Sequence, residues 1–471
     1  MYKRDVCLST FSRHLQPLLQ RSTTISHLHQ IQSLLLKTAL HQDPSTIAQF
    51  ISSLSSISID CARAAFDHLW PSPPPIFAWN SIIRAYAKGL RPSEAIAMFV
   101  ELQRTGIRHD NFTYPFVLKA CASSCLVEEG RMMHCLVLKM GFGSDSFVRN
   151  ALLHMYASCR EIGFARRVFD EMGERDVVSW SSMIGGYVSC KRPVEALVVF
   201  QHMKVANVKP NSVTLVSLLS ACTLLGSLSM GKAIHSYIAA NRVDLDVALG
   251  TALVVMYAKC GDIEKAFNVF TSMNVKNLQS WTVMISAFAD HGRPKDAISL
   301  FIQMESRGLK PDSVSFTALL CACSHLGMVD EGRWYFNQIE NVYHIMPTME
   351  HYGCMVDMFE RAGLVEEAYE FLRKMPMQPN SVILRSFIGA YRHHGGAIHL
   401  DEDFMKLLIE IEPDIGANYV LAANVSAVSA RWNDVAQLRN TMSEKGLKKV
   451  PGCSWVEVNW RNMGAISHQM V

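Results

Sequence analysis

The apolar residues recur at helical spacing, and the helices they predict come in pairs. One apolar stretch ends before Lys191. A second begins at Pro193, which suits the first turn of a helix because the N–H that proline lacks would have no partner there. Lys209-Pro210-Asn211 then ends the second helix. The pattern predicts a helix-turn-helix hairpin, whose apolar positions are Val178, Trp180, Met183, Ile184 and Tyr187, followed by Pro193, Ala196, Leu197, Val199 and Phe200.

The hairpin pattern repeats with a period of 101 residues, which indicates a repeat architecture. Five kinds of residue share this register. Because aromatic and sulfur-containing side chains fill irregular seams well, we expect the tryptophan, phenylalanine, methionine and cysteine positions to form the core between hairpins. The registers are Trp79, Trp180 and Trp281; Pro92, Pro193 and Pro294; Ala95, Ala196 and Ala297; Phe99, Phe200 and Phe301; and Cys121, Cys222 and Cys323.

Each period divides into related units of 35, 35 and 31 residues, and each unit predicts one hairpin. The last two units are about one residue longer, so that Met358 is the counterpart of Met256. Weaker copies precede the array within 9–75, roughly at 9–43 and 44–75. The units of the array, 76–380, are 76–110, 111–145, 146–176, 177–211, 212–246, 247–277, 278–312, 313–348 and 349–380.

A lone hairpin cannot bury the apolar surface on both of its faces, so neighbouring hairpins must stack. The sequence therefore predicts an all-α fold, a right-handed superhelical solenoid of helix-turn-helix repeats with an extended concave groove.

Composition limits the classes of function. The chain has 471 residues, of which 49% are hydrophobic and 18% charged, which excludes a disordered protein. A formal charge of only +3 cannot support purely electrostatic attachment to phosphate, so any binding of nucleic acid must draw much of its affinity from the bases. The thirteen cysteines form no Cys-x-x-Cys pair, which favours packed thiols over disulfides or a zinc site.

Two segments bear on location. Residues 1–21 carry Lys3, Arg4, Arg13 and Arg21 against the single acid Asp5, a composition that resembles an organellar transit segment, to which we assign at least 1–8. Residues 211–231 carry no charge over a length that could cross a bilayer, but their serines and threonines are too polar for hydrocarbon. We therefore expect no membrane insertion.

Helical hairpins of this length fit either a tetratricopeptide array of constant period or a pentatricopeptide array. The alternation of 35, 35 and 31 residues resembles the PLS class of plant organellar pentatricopeptide-repeat (PPR) proteins, built from P, L and S motifs. The resemblance makes 9–43 and 44–75 degenerate L and S units. In the array it assigns P to 76–110, 177–211 and 278–312, L to 111–145, 212–246 and 313–348, and S to 146–176, 247–277 and 349–380. The amino-acid sequences of the units are also similar to these motifs. The segments are Val177-Val178-Ser179-Trp180-Ser181-Ser182-Met183-Ile184 for P, Gly231-Lys232-Ala233-Ile234-His235 for L and Ala252-Leu253-Val254-Val255-Met256-Tyr257-Ala258-Lys259-Cys260-Gly261 for S.

The sequence after the array resembles the paired E motifs of this class. They cover 381–458, as 381–414 and 415–450 with a closing segment from Pro451 to Val458, whereas the tail 459–471 diverges from the expected continuation. The chain is thus similar to the E subgroup, which has no DYW deaminase domain.

In this family the fifth and last residues of a unit hydrogen-bond one base edge, and second residues of successive units sandwich the base. The resemblance implies that the chain pairs Asn80 with Asp110 and Asn150 with Asp176 for U, Ser181 with Asn211 and Thr251 with Asn277 for A, and Thr282 with Asp312 for G. The resemblance also implies that four second residues stack on the bases, and that Gln279 weakens the stacking at its position. The stacking residues are Phe77, Phe147, Val178 and Ala248. The alternative for each Asn, Ser, Thr or Asp is ordinary helix capping.

Two L units offer fewer polar groups at these positions and are predicted to tolerate any base. They carry Pro115 with Asp145 and Val216 with Asp246. The preferred RNA, read from 5′ to 3′ along the chain, is therefore U-x-U-A-x-A-G, followed by poorly defined bases for 313–380.

Some relatives carry a cytidine deaminase domain, whose zinc needs a His-x-Glu segment and a Cys-x-x-Cys pair. This sequence has neither. We therefore predict no enzyme activity, no catalytic residue, no metal ligand and no cofactor.

The resemblance implies that the protein recognises single-stranded organellar RNA, as a site-recognition factor for C-to-U editing. Its E region would recruit a deaminase or other editing-complex proteins in trans. Mitochondrion is the predicted location, with chloroplast as the alternative. Splicing, stabilisation or translation of RNA, or a tetratricopeptide-like protein-binding scaffold, are alternative functions.

Overall fold

The computed structural model describes residues 25–37, 44–68, 74–394, 402–428 and 430–448. The predicted transit segment, the closing segment from Pro451 and the tail 459–471 lie outside these residues. Twenty-five helices and no strand occupy the described part of the chain, which confirms the all-α prediction.

Within the described ranges, the first helix, Ile25–Lys37, is followed by helices in pairs. We call the members of a pair the first and second helix, and name each hairpin of the array by its unit. The helices are Ile25–Lys37; Pro44–Ile57 with Ile59–His68; Ile76–Lys88 with Pro92–Arg104; Thr113–Ser123 with Val127–Lys139; Ser146–Ser158 with Ile162–Asp170; Val177–Ser189 with Pro193–Val205; Ser212–Leu225 with Leu228–Ala240; Val247–Lys259 with Ile263–Ser272; Leu278–Asp290 with Pro294–Ser306; Ser313–Leu326 with Val329–Asn341; Met349–Arg361 with Val365–Arg373; Ser381–His394 with Glu402–Ile411; and Gly416–Val428 with Trp432–Glu444.

The chain forms two compact units, residues 1–224 and 225–471. Within each unit the two helices of a hairpin pack together, and the first helices of successive hairpins also pack on each other. The second helix additionally contacts the first helix of the next hairpin. Each first helix is thereby covered on several sides, which is why its apolar residues extend over most of its circumference.

The tryptophans with the period of 101 residues anchor the joints between S and P units. Each indole packs edge-on against a phenylalanine of the preceding second helix, an arrangement favoured by the quadrupoles of the rings. The three pairs and their centroid separations are Phe66 with Trp79 at 4.7 Å, Phe169 with Trp180 at 4.9 Å, and Phe270 with Trp281 at 5.1 Å. The three tryptophans and the three cysteines of the register are buried, as predicted: Trp79, Trp180, Trp281, Cys121, Cys222 and Cys323.

The joints between L and S units use a close approach of glycine to methionine. A Cβ at the glycine would lie within 3.0 Å of the methionine sulfur in all three copies. The partner of the third glycine is Met358, so the extra residue in the sequence preserves this contact. The pairs are Gly130 with Met155, Gly231 with Met256, and Gly332 with Met358.

Two further observations concern the lengths of the helices and the state of the cysteines. The longest helices have 14 residues, and none in the described ranges is both long and apolar enough to cross a bilayer. The eleven cysteines of the described residues form no disulfide bond with one another.

Gly186 offers a test of the packing between first helices. A Cβ there would lie 2.7 Å from the Cβ of Ala157 on the neighbouring first helix, a rigid partner that cannot turn away. We expect Gly186→Ala to lower the free energy of unfolding by about 1–3 kcal/mol, the usual cost of overpacking a core. Urea denaturation followed by circular dichroism measures the change.

Gly185 is the matched control in the same helix. Its Cβ would meet only the Ser217 hydroxyl, at an ordinary 3.5 Å. Gly185→Ala should leave stability unchanged or raise it by up to ~1 kcal/mol, through the better helix propensity of alanine. Equal effects of the two substitutions would contradict the close approach at Gly186.

Candidate nucleic-acid interface

The last residue of each P and S unit caps the first helix of the next hairpin. Asp176 accepts a hydrogen bond from the Ser179 N–H at 2.8 Å, the arrangement that Asp and Asn favour at an N-cap. The capping interpretation of these residues is therefore correct. The other caps are Asp110 to Thr113 at 3.0 Å, Asn211 to Thr214 at 2.9 Å, Asn277 to Ser280 at 2.9 Å and Asp312 to Ser315 at 2.8 Å.

Capping also brings each of these side chains close to the fifth residue of its own unit. The Asn80 amide donates to Asp110 Oδ1 at 2.9 Å. The Asn150 amide lies 3.2 Å from Asp176 Oδ2 and 3.3 Å from Oδ1. The structure thus places both predicted Asn–Asp pairs in direct contact, within the first compact unit.

The shorter hydroxyl side chains reach the last residue through an intermediate. Thr282 Oγ1 lies 2.8 Å from Ser315 Oγ, which in turn donates to Asp312 Oδ1 at 2.6 Å. The same relay occurs in the other two pairs. It runs from Ser181 to Thr214 at 2.6 Å and on to Asn211 at 2.9 Å, and from Thr251 to Ser280 at 3.0 Å and on to Asn277 at 2.8 Å. Ser181 Oγ also lies 3.5 Å from Asn211 Oδ1, a longer direct contact.

These intermediates are functional candidates that the sequence reasoning missed. They stand at the third position of the hairpin that follows the pair: Thr214, Ser280 and Ser315. The signal was in the sequence, since Asp or Asn followed three residues later by Ser or Thr is the spacing of a reciprocal cap. Asp312 and Ser315 form such a capping box.

The two members of a pair differ in exposure. Asn80, Ser181, Thr251 and Thr282 are each 6% exposed and lie at the joints between first helices. Asp176, Asn211 and Asn277 are exposed, whereas Asn150, Asp110 and Asp312 are intermediate. Each pair therefore combines a sheltered group with a more accessible one.

Two of the sheltered amides have an unused acceptor. Asn80 Oδ1 and Asn150 Oδ1 are buried and accept no hydrogen bond. A buried acceptor without a donor costs about 1–3 kcal/mol, so an arrangement in which the amide turned and accepted an N–H would be favoured.

A cavity of about 490 Å³ opens beside one of the pairs in the first compact unit. It lies between three successive first helices, Ser146–Ser158, Val177–Ser189 and Ser212–Leu225. Ser181 and Asn211 supply polar lining, and the second residues Val178 and Val213 line it as well.

Exposed apolar side chains recur at the second position of the hairpins within each compact unit, and we call this set of side chains the row. The row includes three of the predicted stacking residues, and the fourth, Ala248, is exposed too. Phe112, Val213 and Val314 extend it, and Gln279 interrupts it with an exposed polar side chain. The exposed fractions are 55% for Phe77, 61% for Phe112, 70% for Phe147, 49% for Val178, 62% for Val213 and 60% for Val314.

In the L units 111–145 and 212–246, the fifth position carries no hydrogen-bonding side chain. Pro115 and Val216 are of intermediate exposure. Their partners Asp145 and Asp246 cap the next helix at the N–H groups of Val148 and Leu249, at 3.0 and 2.7 Å. Those third positions also lack a hydroxyl, so no relay forms in these units.

The electrostatics of the cavity are mild. Partial desolvation lowers the pKa of His154, an exposed residue that lines the cavity, and the charge of Lys119 lowers it further. Among the described residues, no group of three or more His, Cys, Asp or Glu side chains is placed to hold a metal ion. The chemistry on offer is hydrogen bonding and stacking.

Family comparisons agree with the repeats. The PPR repeat family models match residues 74–123, 175–223 and 276–325, and also 147–177, 251–278, 314–341 and 350–378. An E motif model matches residues 398–457.

Individual proteins are similar over most of the chain. A chloroplastic pentatricopeptide repeat-containing protein of Arabidopsis thaliana is 39% identical over 446 residues, which are 94% of this chain and 73% of the relative. Another from the same plant, named chloroplastic/mitochondrial, is 39% identical over 485 residues, covering 98% and 74%.

A solved structure shares the fold. The crystal structure of the pentatricopeptide repeat protein PPR10 from maize has a TM-score of 0.61 at 18% identity, and the match covers 89% of this chain and 61% of that one. With repeat matches along the array, an E motif after it and relatives 39% identical over almost three quarters of their length, the chain belongs to the pentatricopeptide repeat family.

Proposed function

We propose that this protein binds single-stranded RNA in an organelle and selects it by sequence, one base per repeat. The observation that carries the proposal is the recurrence, in hairpin after hairpin, of a polar pair beside an exposed apolar second residue. The family supports RNA as the ligand, since pentatricopeptide repeats read single strands base by base. Relatives named chloroplastic or mitochondrial support the organelle, with mitochondrion as our assignment.

The pairs divide the work of recognition. Uracil presents an N–H between two carbonyl groups, which suits the unused Oδ1 of Asn80 and of Asn150 together with their amide donors. The hydroxyl pairs suit purines, with A at Ser181 with Asn211 and at Thr251 with Asn277, and G at Thr282 with Asp312. Pro115 and Val216 take any base, which gives U-x-U-A-x-A-G along the chain.

Stacking supplies affinity that charge cannot. The chain has 45 Lys and Arg against 42 Asp and Glu, so attraction to phosphate is weak. A base stacked on a side chain contributes about 1–3 kcal/mol, and the exposed second residues provide one surface per repeat.

The biological role we propose is recognition of a site for C-to-U editing. The E motif at residues 398–457 supports it, because this region follows the repeats in the editing factors that the chain resembles. The deaminase would act in trans, recruited through the E region.

Replacing Thr282 by Asn tests the assignment of bases to pairs. An Asn side chain is long enough to reach Asp312 directly, as Asn80 reaches Asp110. We expect preference at the seventh base to move from G toward U by about tenfold, or ~1.4 kcal/mol. Fluorescence anisotropy with U-x-U-A-x-A-G and its U-ending variant measures this. Thr271→Asn, at an exposed site on a second helix, is the control, and an unchanged preference in Thr282→Asn would discredit the register.

Replacing Phe147 by Ala tests stacking. Phe147 is 70% exposed, so its loss should leave the melting temperature unchanged. Affinity should fall by the ~1–3 kcal/mol of one stacked base, equally for the preferred RNA and for RNA changed at a distant position. Val205→Ala, at a site 81% exposed on a second helix, should change neither, and equal losses in both variants would argue against the row.

The editing role has its own test in the plant. Organellar RNA from plants lacking the gene should keep C at one or a few sites that wild-type plants convert to U, each just downstream of a U-x-U-A-x-A-G-like sequence. Normal editing with unspliced or unstable transcripts would instead assign the protein to RNA processing. Equal binding of preferred and scrambled RNA in vitro would favour a protein-binding scaffold.

A further inference from the structure

Hairpin 349–380 differs from hairpin 177–211 at several of the positions that line the cavity there. Its first helix, Met349–Arg361, has the same 13-residue length as Val177–Ser189, and both begin directly after their capping position. The two helices can therefore be compared residue by residue. The positions of Val177–Ser189 that line the cavity are the second, fifth, sixth, ninth, tenth, twelfth and thirteenth.

The fifth position of this hairpin has no group that could read a base. It is Gly353, where the other P and S units carry Asn, Ser or Thr. The last residue of the unit, Asn380, caps the next helix at the Ile383 N–H at 3.0 Å, so it has the usual role but no partner at the fifth position.

The second position lacks a stacking surface. It is Glu350, an exposed residue in place of the apolar side chains of the row. A hydrogen bond from the Thr348 hydroxyl lowers the pKa of this carboxyl, so it is ionised at pH 7. A carboxylate here repels the phosphates on either side of a base.

The ninth and twelfth positions add further acidic groups. Asp357 and Glu360 stand where Gly185 and Val188 line the cavity of hairpin 177–211. Asp357 accepts hydrogen bonds from Ser324 at 2.5 Å and from Arg361 at 2.8 Å, so one cation offsets part of the charge. Glu360 is 6% exposed and accepts a bond from Ser386 at 2.7 Å, on the first helix of the E region.

In the next hairpin, Ser381–His394 with Glu402–Ile411, the side chain at the fifth position is bonded to protein groups. Its fifth residue, Arg385, forms a salt bridge with Glu412. Glu412 also accepts hydrogen bonds from Ser381 at 2.7 Å and Asn418 at 3.1 Å. The polar groups at this joint are thus occupied by one another.

Hairpin 313–348, in contrast, keeps the pattern. Val314 is 60% exposed at the second position, and Thr317 carries a hydroxyl at the fifth, donated to the Ser313 carbonyl at 3.0 Å.

From this contrast we propose that the RNA track ends at hairpin 313–348, and that Glu350, Gly353 and Asp357 form its 3′ boundary. The inference rests on the proposed function. The array from 76 to 348 then engages eight nucleotides, U-x-U-A-x-A-G-x, and hairpin 349–380 is a spacer that separates the last bound base from the E region.

A length series on the wild-type protein tests the boundary. Oligonucleotides carry U-x-U-A-x-A-G-x with four further nucleotides at the 3′ end, which are removed one at a time, and Kd is measured by fluorescence anisotropy at constant salt. We expect removal of all four to change Kd by less than about twofold, and removal of the G to weaken binding about tenfold, the loss of one engaged base. A tenfold loss on removing the ninth nucleotide would overturn the boundary.

A gain-of-function variant tests the residues. Glu350→Val, Gly353→Asn and Asn380→Asp together rebuild the pattern of hairpin 76–110. The new side chain at position 353 fits, because its Cβ would meet Ile383 at an ordinary 3.5 Å. The triple variant should prefer U at the ninth base by about tenfold. Glu366→Val, which removes one charge from the second helix, is the control and should gain no preference. A triple variant still indifferent to the ninth base would contradict the assignment of these residues.

The two proposals fail differently. If the wild-type protein binds preferred and scrambled RNA alike, the proposed function is wrong and the boundary falls with it. If it prefers U-x-U-A-x-A-G but depends on the ninth nucleotide, only the boundary is wrong.

Discussion

The cap at the start of each first helix is the interaction on which the candidate site depends. An Asp or Asn at the end of one unit satisfies an N–H of the next helix, which stabilises that helix by roughly 1 kcal/mol. The same bond fixes the side chain at the joint between successive first helices. Because the fifth residue lies one helical turn into the unit, its polar group meets the capping side chain directly or through one hydroxyl. Helix initiation and the geometry of the pair thus have one cause.

Much of the fold follows from the sequence because the repeat multiplies weak signals. One tryptophan at helical spacing says little, but Trp79, Trp180 and Trp281 in one register predict a common environment, and all three pack edge-on against a phenylalanine. The partner phenylalanines lie on the preceding hairpin. Periodicity within one helix predicts that a residue is buried, whereas the neighbour that covers it depends on how hairpins stack.

The candidate site was predictable in part for the same reason. Pairs such as Asn80 with Asp110 were predicted from the family register and are in contact. The relay through Ser315 was missed because it joins residues of two hairpins and becomes visible only when both helices are in place. The burial of the fifth residues to 6% exposure also depends on the neighbouring first helix, which no pattern within a single unit reveals.

In the proposed function, affinity and selectivity depend on different residues, and the stability of the fold depends on neither set alone. Exposed second residues such as Phe147 contribute little to the core, so stacking can vary along the array at small cost to the fold. The last residue of a unit has no such freedom, because changing it alters a helix cap as well as a hydrogen-bonding group.

The fifth residue lies between these extremes: Asn80, Ser181 and Thr282 occupy equivalent places at the same 6% exposure, so this position accepts side chains of different length. Since Asn bonds the cap directly and Ser or Thr does so through a neighbouring hydroxyl, the pattern of donors and acceptors can change while the cap stays in place. Selectivity can therefore be altered at the fifth position without rebuilding the joint that holds successive hairpins together.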